Sequence, residues 1–275
     1  MKSTVAPYAT AVKCLRIVCT NGTTIRLTRY PTDLTMSNSQ VYLTGSGFDF
    51  TGYAATASMS PSAIDLEGFA GFAGITRAGI ASGVFDGARC YLFSCDFLNP
   101  VEDYEPLVAS ILGKTTLHDE RYIIEEMALI DALNQSVGKT YTAACGKVFG
   151  GTEYAGCGKA LGPLTVTGTL TDVDNAYTFT DAGRTEAADY FGGGVITFTS
   201  GANTGFSKEV KSFSGGLLVV YEPFYYVPEV GDAYSLIPGC RKRLEDCRDK
   251  WNNVANFGGF SFVPTSSQYS QIGTR

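Results

Sequence analysis

The sequence is poor in histidine and in charge, and both shortages restrict what the protein can do. It contains one histidine, His118, and only 17% of its residues are charged. A single histidine excludes metal sites built from several histidines. Any catalytic nucleophile paired with a histidine would have to use His118.

The chain also lacks an excess of basic residues and a long apolar run. Lys and Arg number 21 against 27 Asp and Glu, a formal net charge of −6. We therefore expect no sequence-specific nucleic acid binding and no attachment to an anionic membrane. No apolar stretch approaches the roughly 20 residues that span a bilayer, and Lys13 and Arg16 interrupt any signal-peptide core. We expect no membrane anchor, and folding in a reducing cytosol.

By contrast, glycine and strand-forming residues are abundant. Apolar residues make up 44% of the chain, and there are 32 glycines. This composition favours short strands and tight turns, so the predicted fold class is mainly β. Asn21-Gly22 predicts a hairpin within residues 15–27, and residues 41–43 and 48–50 predict a second hairpin. Thr76 is a candidate cap for a short helix over residues 77–81.

The second half of the sequence differs from the first in its predicted secondary structure. Residues 164–238 predict six short strands, which is typical of a small β-barrel or sandwich. Residues 240–253 form the most helix-like stretch. We predict an N-terminal β-rich domain over residues 1–138, a C-terminal domain over 139–264 with the β module (164–238) inserted, and a flexible tail over 265–275.

Four cysteines flank the β module. Cys145 and Cys157 precede it, and Cys240 and Cys247 follow it. If the module begins and ends at one place, the four thiols meet there. In a cytosolic chain of this size, closely spaced cysteines indicate metal binding, and four thiolates suit either structural zinc or an iron–sulfur cluster.

The spacing of these cysteines favours the cluster. Zinc ligands usually come in pairs with about two to four residues between them, whereas here eleven and six residues intervene. Basic residues lie beside the second pair and would offset the negative charge of a four-thiolate cluster. They are Arg241, Lys242, Arg243, Arg248 and Lys250, of which Arg241, Lys242 and Arg248 are our main candidates. The alternative interpretation is four isolated buried thiols surrounded by solvated charges.

The other cysteines predict core positions rather than a second metal site. Free cysteine is commonly buried as a small apolar residue. They form two pairs, Cys14 with Cys19 and Cys90 with Cys95, and each pair is separated by five positions. In a strand this odd separation would place the two cysteines of a pair on opposite faces, one in the core and the other toward solvent.

Several segments resemble a known family. Residues 240–260 contain Cys240, a basic run, Cys247-Arg248 and then Asn-Phe-Gly-Gly-Phe260. This pattern resembles the C-terminal signature of the phage tail hub proteins that also occur in gene transfer agents. Residues 193–205 resemble the central turn of the family and residues 133–138 its domain junction. Residues 32–35 and 83–88 fit its N-terminal half.

The resemblance implies a fold, a cofactor and partners. It implies an N-terminal hub domain and a C-terminal iron–sulfur collar around the inserted β module. The lambda-type tail-tip protein holds a four-iron cluster (4Fe-4S) on four cysteines, which Cys145, Cys157, Cys240 and Cys247 match in order. Zinc is the alternative cofactor. The family implies a homotrimer at the virion tail tip, contacting the distal tail protein and central fibre or baseplate proteins after synthesis and assembly in the host bacterial cytoplasm.

The expected function is therefore structural, and we predict no catalytic residues. The chain has neither a Gly-x-Ser-x-Gly elbow nor a phosphate loop. Adjacent acidic residues such as Glu125-Glu126 are usually solvated. The alternatives are a tail-associated hydrolase and a redox-sensing protein that uses the cluster.

Overall fold

The computed structural model describes residues 9–45, 47–50, 64–72, 74–128, 138 and 141–263. The chain divides into two compact units, Met1–Ser136 and Val137–Arg275, and both are mainly β, as the composition predicts. Within the described residues no helix is long and apolar enough to cross a membrane. The predicted tail over 265–275, and the proposed junction over 133–138 apart from Gly138, lie outside the described residues.

The first unit is built on an antiparallel sheet. The strands that the structure describes are β1 (Ala11–Val18), β2 (Thr24–Thr28), β3 (Leu34–Thr35), β4 (Val41–Tyr42), β5 (Asp49–Phe50), β6 (Ile64–Phe69), β7 (Arg89–Asp96), β8 (Glu105–His118) and β9 (Arg121–Ala128). Seven of them form one sheet in the order β2-β1-β7-β8-β9-β6-β5, and β3 and β4 form a separate ribbon.

Two local predictions in this unit are confirmed. β1 and β2 pair as a hairpin, and Gly22 takes φ +87°, a conformation that glycine adopts without strain. The helix α1 spans Arg77–Ala81, and Thr76 caps it because its Oγ1 accepts a 3.0 Å hydrogen bond from the backbone N–H of Gly79.

The second predicted hairpin is wrong. β4 pairs with β3, and β5 pairs with β6. After β4 the chain forms hydrogen bonds with residues that precede β3. The backbone N–H of Thr44 donates to Asp33 Oδ1 at 2.9 Å, and its hydroxyl donates to the carbonyl oxygen of Tyr30 at 2.8 Å. These contacts tie Thr44 to the residues before β3 instead of starting the predicted turn.

The core of the first unit holds more polar groups than the sequence suggests. The four cysteines of this unit are all buried: Cys14, Cys19, Cys90 and Cys95. The core prediction is therefore right, but no cysteine of either pair faces solvent. Glu126 is also buried, whereas its neighbour Glu125 is exposed, so the expectation that this acidic pair is solvated is wrong for Glu126.

The inserted module of the second unit has seven strands rather than the six predicted. They are β10 (Val166–Thr169), β11 (Asp172–Asn175), β12 (Thr178–Thr180), β13 (Val195–Phe198), β14 (Ser207–Ser214), β15 (Leu217–Val220) and β16 (Ala233–Ile237). They form one antiparallel sheet in the order β10-β16-β13-β14-β15-β12-β11. The register shifts in β14 between Val210 and Ser212, and the module packs around buried rings such as Phe179, Phe191 and Phe198.

The predicted helical stretch over 240–253 is largely wrong. This segment forms only a short helical start and a π-helical turn, Asp246–Lys250. Lys242 and Asn252 take φ +65° and +46°, which a right-handed helix does not allow. Asp246 Oδ2 accepts a 2.8 Å hydrogen bond from the backbone N–H of Arg241, so a side chain replaces part of the helical bonding.

Candidate metal centre

The four cysteines that flank the β module line a single pocket. Cys145 and Cys157 reach it from the segment before β10, and Cys240 and Cys247 from the segment after β16. All four are free thiols; Cys247 is buried and the other three are half-buried. The structure therefore brings together the four residues that the sequence selects.

Glycine contacts hold the exit of the β module in place just before Cys240. A Cβ on Gly239 would lie 1.9 Å from the carbonyl oxygen of Gly192, and a Cβ on Gly194 would lie 2.1 Å from that of Ile237. Real Cβ atoms do not approach backbone this closely. Only glycine therefore permits these two backbone segments to meet.

Charged side chains anchor the second ligand segment to the module. Arg241 donates two hydrogen bonds to Asp189, at 2.8 and 2.5 Å. Lys250 Nζ donates to the carbonyl oxygens of Tyr190 and Gly239, the latter at 2.8 Å, and lies 4.9 Å from the centre of the Trp251 ring. Cys240 and Cys247 thus lie on a segment fixed on both sides.

Backbone and amide N–H groups point at two of the sulfurs. The N–H of Gly258 donates to Cys145 Sγ at 3.3 Å, and Asn253 Nδ2 lies 3.5 Å from Cys157 Sγ. Hydrogen bonds of this kind to cysteine sulfur are one of the means by which proteins tune iron–sulfur clusters.

Two thiols of the pocket, those of Cys240 and Cys247, are costly to ionise in the protein alone. Burial raises the pKa of Cys247, and the neighbouring thiols of Cys240, Cys145 and Cys157 add to this effect. Burial also raises the pKa of Cys240, although the backbone N–H of Lys242 opposes it. A bound metal cation reverses this cost, because a coordinating thiol is deprotonated outright.

The basic residues predicted beside the site have different positions. Lys242 lines the pocket. Arg241 pairs with Asp189, and Arg248 is exposed and pairs with Asp249 at 2.7 Å, so neither is brought to the pocket lining. Arg243, also expected beside the site, lines it, and so does Lys147, which is not predicted from the sequence.

Two residues of the pocket, Lys147 and Asn253, are not predicted from the sequence. Their positions were the available signal: Lys147 lies two residues after Cys145, and Asn253 lies within the segment that carries the family resemblance.

The donor atoms of the pocket, rather than its size, indicate which group it could hold. Among the described residues, no group of three or more His, Cys, Asp or Glu is arranged to hold one metal ion. The four thiols border a cavity of about 20 Å³. Four thiolates are the usual ligand set of iron–sulfur clusters, so the donor chemistry fits.

The fold and the pocket define a mainly β protein of two units with a four-cysteine pocket in the second. A sequence model of the family described as baseplate hub protein, N-terminal attachment domain, matches residues 3–160. This match spans more than half of the chain, so the protein belongs to this baseplate hub family. A second family, described as a phage conserved hypothetical protein, matches residues 189–267. The resemblance to phage tail hub proteins is confirmed.

A solved structure shares the fold over nearly the whole chain. It is a chain of a structure described as the virion of a native gene transfer agent particle, with a TM-score of 0.80 and 22% sequence identity. The alignment covers 97% of this chain and 91% of that chain. No curated protein matches the sequence.

Proposed function

We propose that this protein is a structural component of a phage or phage-like baseplate hub. In this role it joins the end of the tail tube to tip or central fibre proteins. Membership of the baseplate hub family supports the proposal, and so does the shared fold with a chain of a gene transfer agent virion.

We further propose that the second unit folds around an iron–sulfur cluster held by Cys145, Cys157, Cys240 and Cys247. The observation that carries this proposal is that the four thiols line one pocket although the whole β module separates the two pairs. When bound, the cluster supplies iron–thiolate bonds between the two segments. Such a link closes a long loop, whose closure otherwise costs conformational entropy. Metal binding at structural sites is commonly coupled to folding, and its free energy is on the order of 10 kcal/mol.

The residues around the thiols support a structural role for the cluster. Lys147, Lys242 and Arg243 line the pocket and would balance the negative charge of a cluster on four thiolates. Phe149, Trp251 and Phe257 also line it. Their rings give the pocket apolar walls, which suit a permanent link between the two segments.

Metal analysis of the protein after anaerobic purification tests the cluster. We expect a brown protein with stoichiometric iron and acid-labile sulfide. Stoichiometric zinc without sulfide would overturn the cluster while keeping a four-cysteine metal site. A folded second unit with neither metal would overturn the metal centre.

We propose a ring of three subunits in the assembled virion, with the distal tail protein and central fibre or baseplate proteins as neighbours. The tail would form in the host bacterial cytoplasm. Closed symmetry is the usual arrangement of homo-oligomers. Electron cryomicroscopy of purified tails tests the ring: three copies at the tip are expected, and one or six copies would overturn it.

A further inference from the structure

We propose that Asn253 is a positioning residue that joins the two cysteine pairs and directs an amide N–H at the sulfur of Cys157. In this way it would set the reduction potential of the bound cluster. The inference rests on the proposed iron–sulfur site. It assigns a role to a residue that is neither a ligand nor charged.

The side chain of Asn253 contacts the first ligand pair. Its Nδ2 donates a 2.9 Å hydrogen bond to the carbonyl oxygen of Cys157 and lies 3.5 Å from Cys157 Sγ. One amide group thus fixes both the backbone and the thiol of this cysteine.

The backbone of Asn253 contacts the second ligand pair. Its N–H donates to the carbonyl oxygen of Cys247 at 2.8 Å, and its carbonyl oxygen accepts a 3.1 Å hydrogen bond from the Cys247 thiol. The thiol proton is lost when Cys247 binds metal, but the backbone bond does not depend on it. Asn253 therefore touches one cysteine of each pair, Cys157 and Cys247.

Two neighbours determine the direction in which the amide points. Asn256 Nδ2 donates a 2.9 Å hydrogen bond to Asn253 Oδ1, which leaves the NH₂ group of Asn253 to face Cys157. Asn252 takes the left-handed conformation at φ +46°, where asparagine is among the favoured residues. Asn253 is thereby held half-buried at the pocket wall.

This arrangement has a predictable effect on a cluster. An N–H aimed at a cysteine sulfur stabilises the more negative, reduced state more than the oxidised state, and so it raises the reduction potential. Because the amide is neutral, it adds to the basic residues of the pocket without changing the net charge.

The test compares three variants of the full-length protein, loaded with iron and sulfide under anaerobic conditions. Asn253→Ala removes the amide. Asn253→Asp is isosteric and keeps the acceptor that Asn256 contacts, but it loses the donor and adds a negative charge. Asn175→Ala is the matched control: it removes an asparagine that accepts hydrogen bonds from Tyr177 and Thr178 in a turn of the β module and is not part of the pocket lining.

The readouts are the reduction potential, the thiolate-to-iron absorption bands, the rate of iron loss to a chelator and the melting temperature. We expect both Asn253 variants to shift the potential to more negative values, Asn253→Asp further than Asn253→Ala, and to lose iron at least several-fold faster. Asn175→Ala should lower the melting temperature and leave the potential unchanged. If Asn253→Ala does not retain the cluster, the potential of Asn253→Asp decides.

The outcomes separate this inference from the proposed function. A wild-type protein that binds no iron and sulfide would overturn the cluster and this inference with it. A loaded wild-type protein, with both Asn253 variants at its potential and its rate of iron loss, would overturn the inference alone. A potential shift in Asn175→Ala equal to that of Asn253→Ala would reduce Asn253 to a general stabilising residue and would likewise overturn it.

Discussion

The backbone N–H of Cys145 donates a 2.8 Å hydrogen bond to the carbonyl oxygen of Lys242. This bond joins the segment before the β module to the segment after it. It links one cysteine of the first pair to a residue that lies between the two cysteines of the second pair. Lys242 Nζ reaches back to the carbonyl oxygen of Lys147, which strengthens the same connection. The crossing of the two segments is therefore built from backbone groups and a lysine, and replacing one thiol leaves these bonds in place.

Cys247→Ser should remove the cluster and destabilise the second unit. Serine is a poor ligand for iron, and the loss of a structural metal is among the few changes that cost roughly 4 kcal/mol or more. Iron and sulfide content and thermal unfolding measure the effect. Limited proteolysis should show the first unit still protected.

Cys19→Ser is the matched control for this change. Cys19 is a buried thiol of the first unit, so its replacement should leave the iron content unchanged. A Cys247→Ser protein with full iron content and an unchanged melting temperature would contradict the structural role of the cluster.

Gly239→Ala should destabilise the junction between the β module and Cys240. The new Cβ would lie 1.9 Å from the carbonyl oxygen of Gly192 and 2.4 Å from the backbone nitrogen of Gly194. Both atoms are backbone and cannot rotate away, so we expect a loss of about 3 kcal/mol in urea unfolding, the usual scale of overpacking. Gly162→Ala is the control, because nothing lies within 4 Å of its Cβ position. Equal losses in the two variants would contradict the close contact.

Glu126→Gln should change how the stability of the first unit depends on pH. Burial raises the pKa of Glu126, while hydrogen bonds from Ser110 at 2.8 Å and Cys90 at 3.2 Å act in the opposite direction. The folded state therefore binds this proton more tightly than the unfolded state. Stability should fall as the pH rises from the ordinary pKa of a glutamate to the raised pKa, and stay level above it.

Glutamine keeps an acceptor for the Ser110 hydroxyl and has no proton to lose, so the variant should lack this decline and be the more stable protein at neutral pH. Urea unfolding between about pH 4 and pH 8 measures it. The exposed neighbour, through Glu125→Gln, is the control. Parallel pH curves for wild type and Glu126→Gln would show that the buried carboxyl does not shift in the folded state.

Features that depend on neighbours along the chain could be predicted from the sequence. The Asn21-Gly22 turn and the Thr76 cap are settled by hydrogen bonds that span at most a few residues, and these were predicted correctly. The mainly β class follows from composition, and the segments that resemble phage tail hub proteins indicate the hub family, which the family match over residues 3–160 confirms.

Where the local preference of a segment competes with hydrogen bonds to distant residues, the tertiary structure decides which conformation forms. Residues 240–253 have helical character, but Arg241 donates a hydrogen bond to Asp189, and Lys250 donates to the carbonyl oxygens of Tyr190 and Gly239. These bonds interrupt the helix. The sequence alone could give the order and spacing of the four cysteines. Their convergence on one pocket depends on the folding of a seven-stranded sheet between them, because loop ends meet only when the packing of the intervening chain outweighs its conformational entropy.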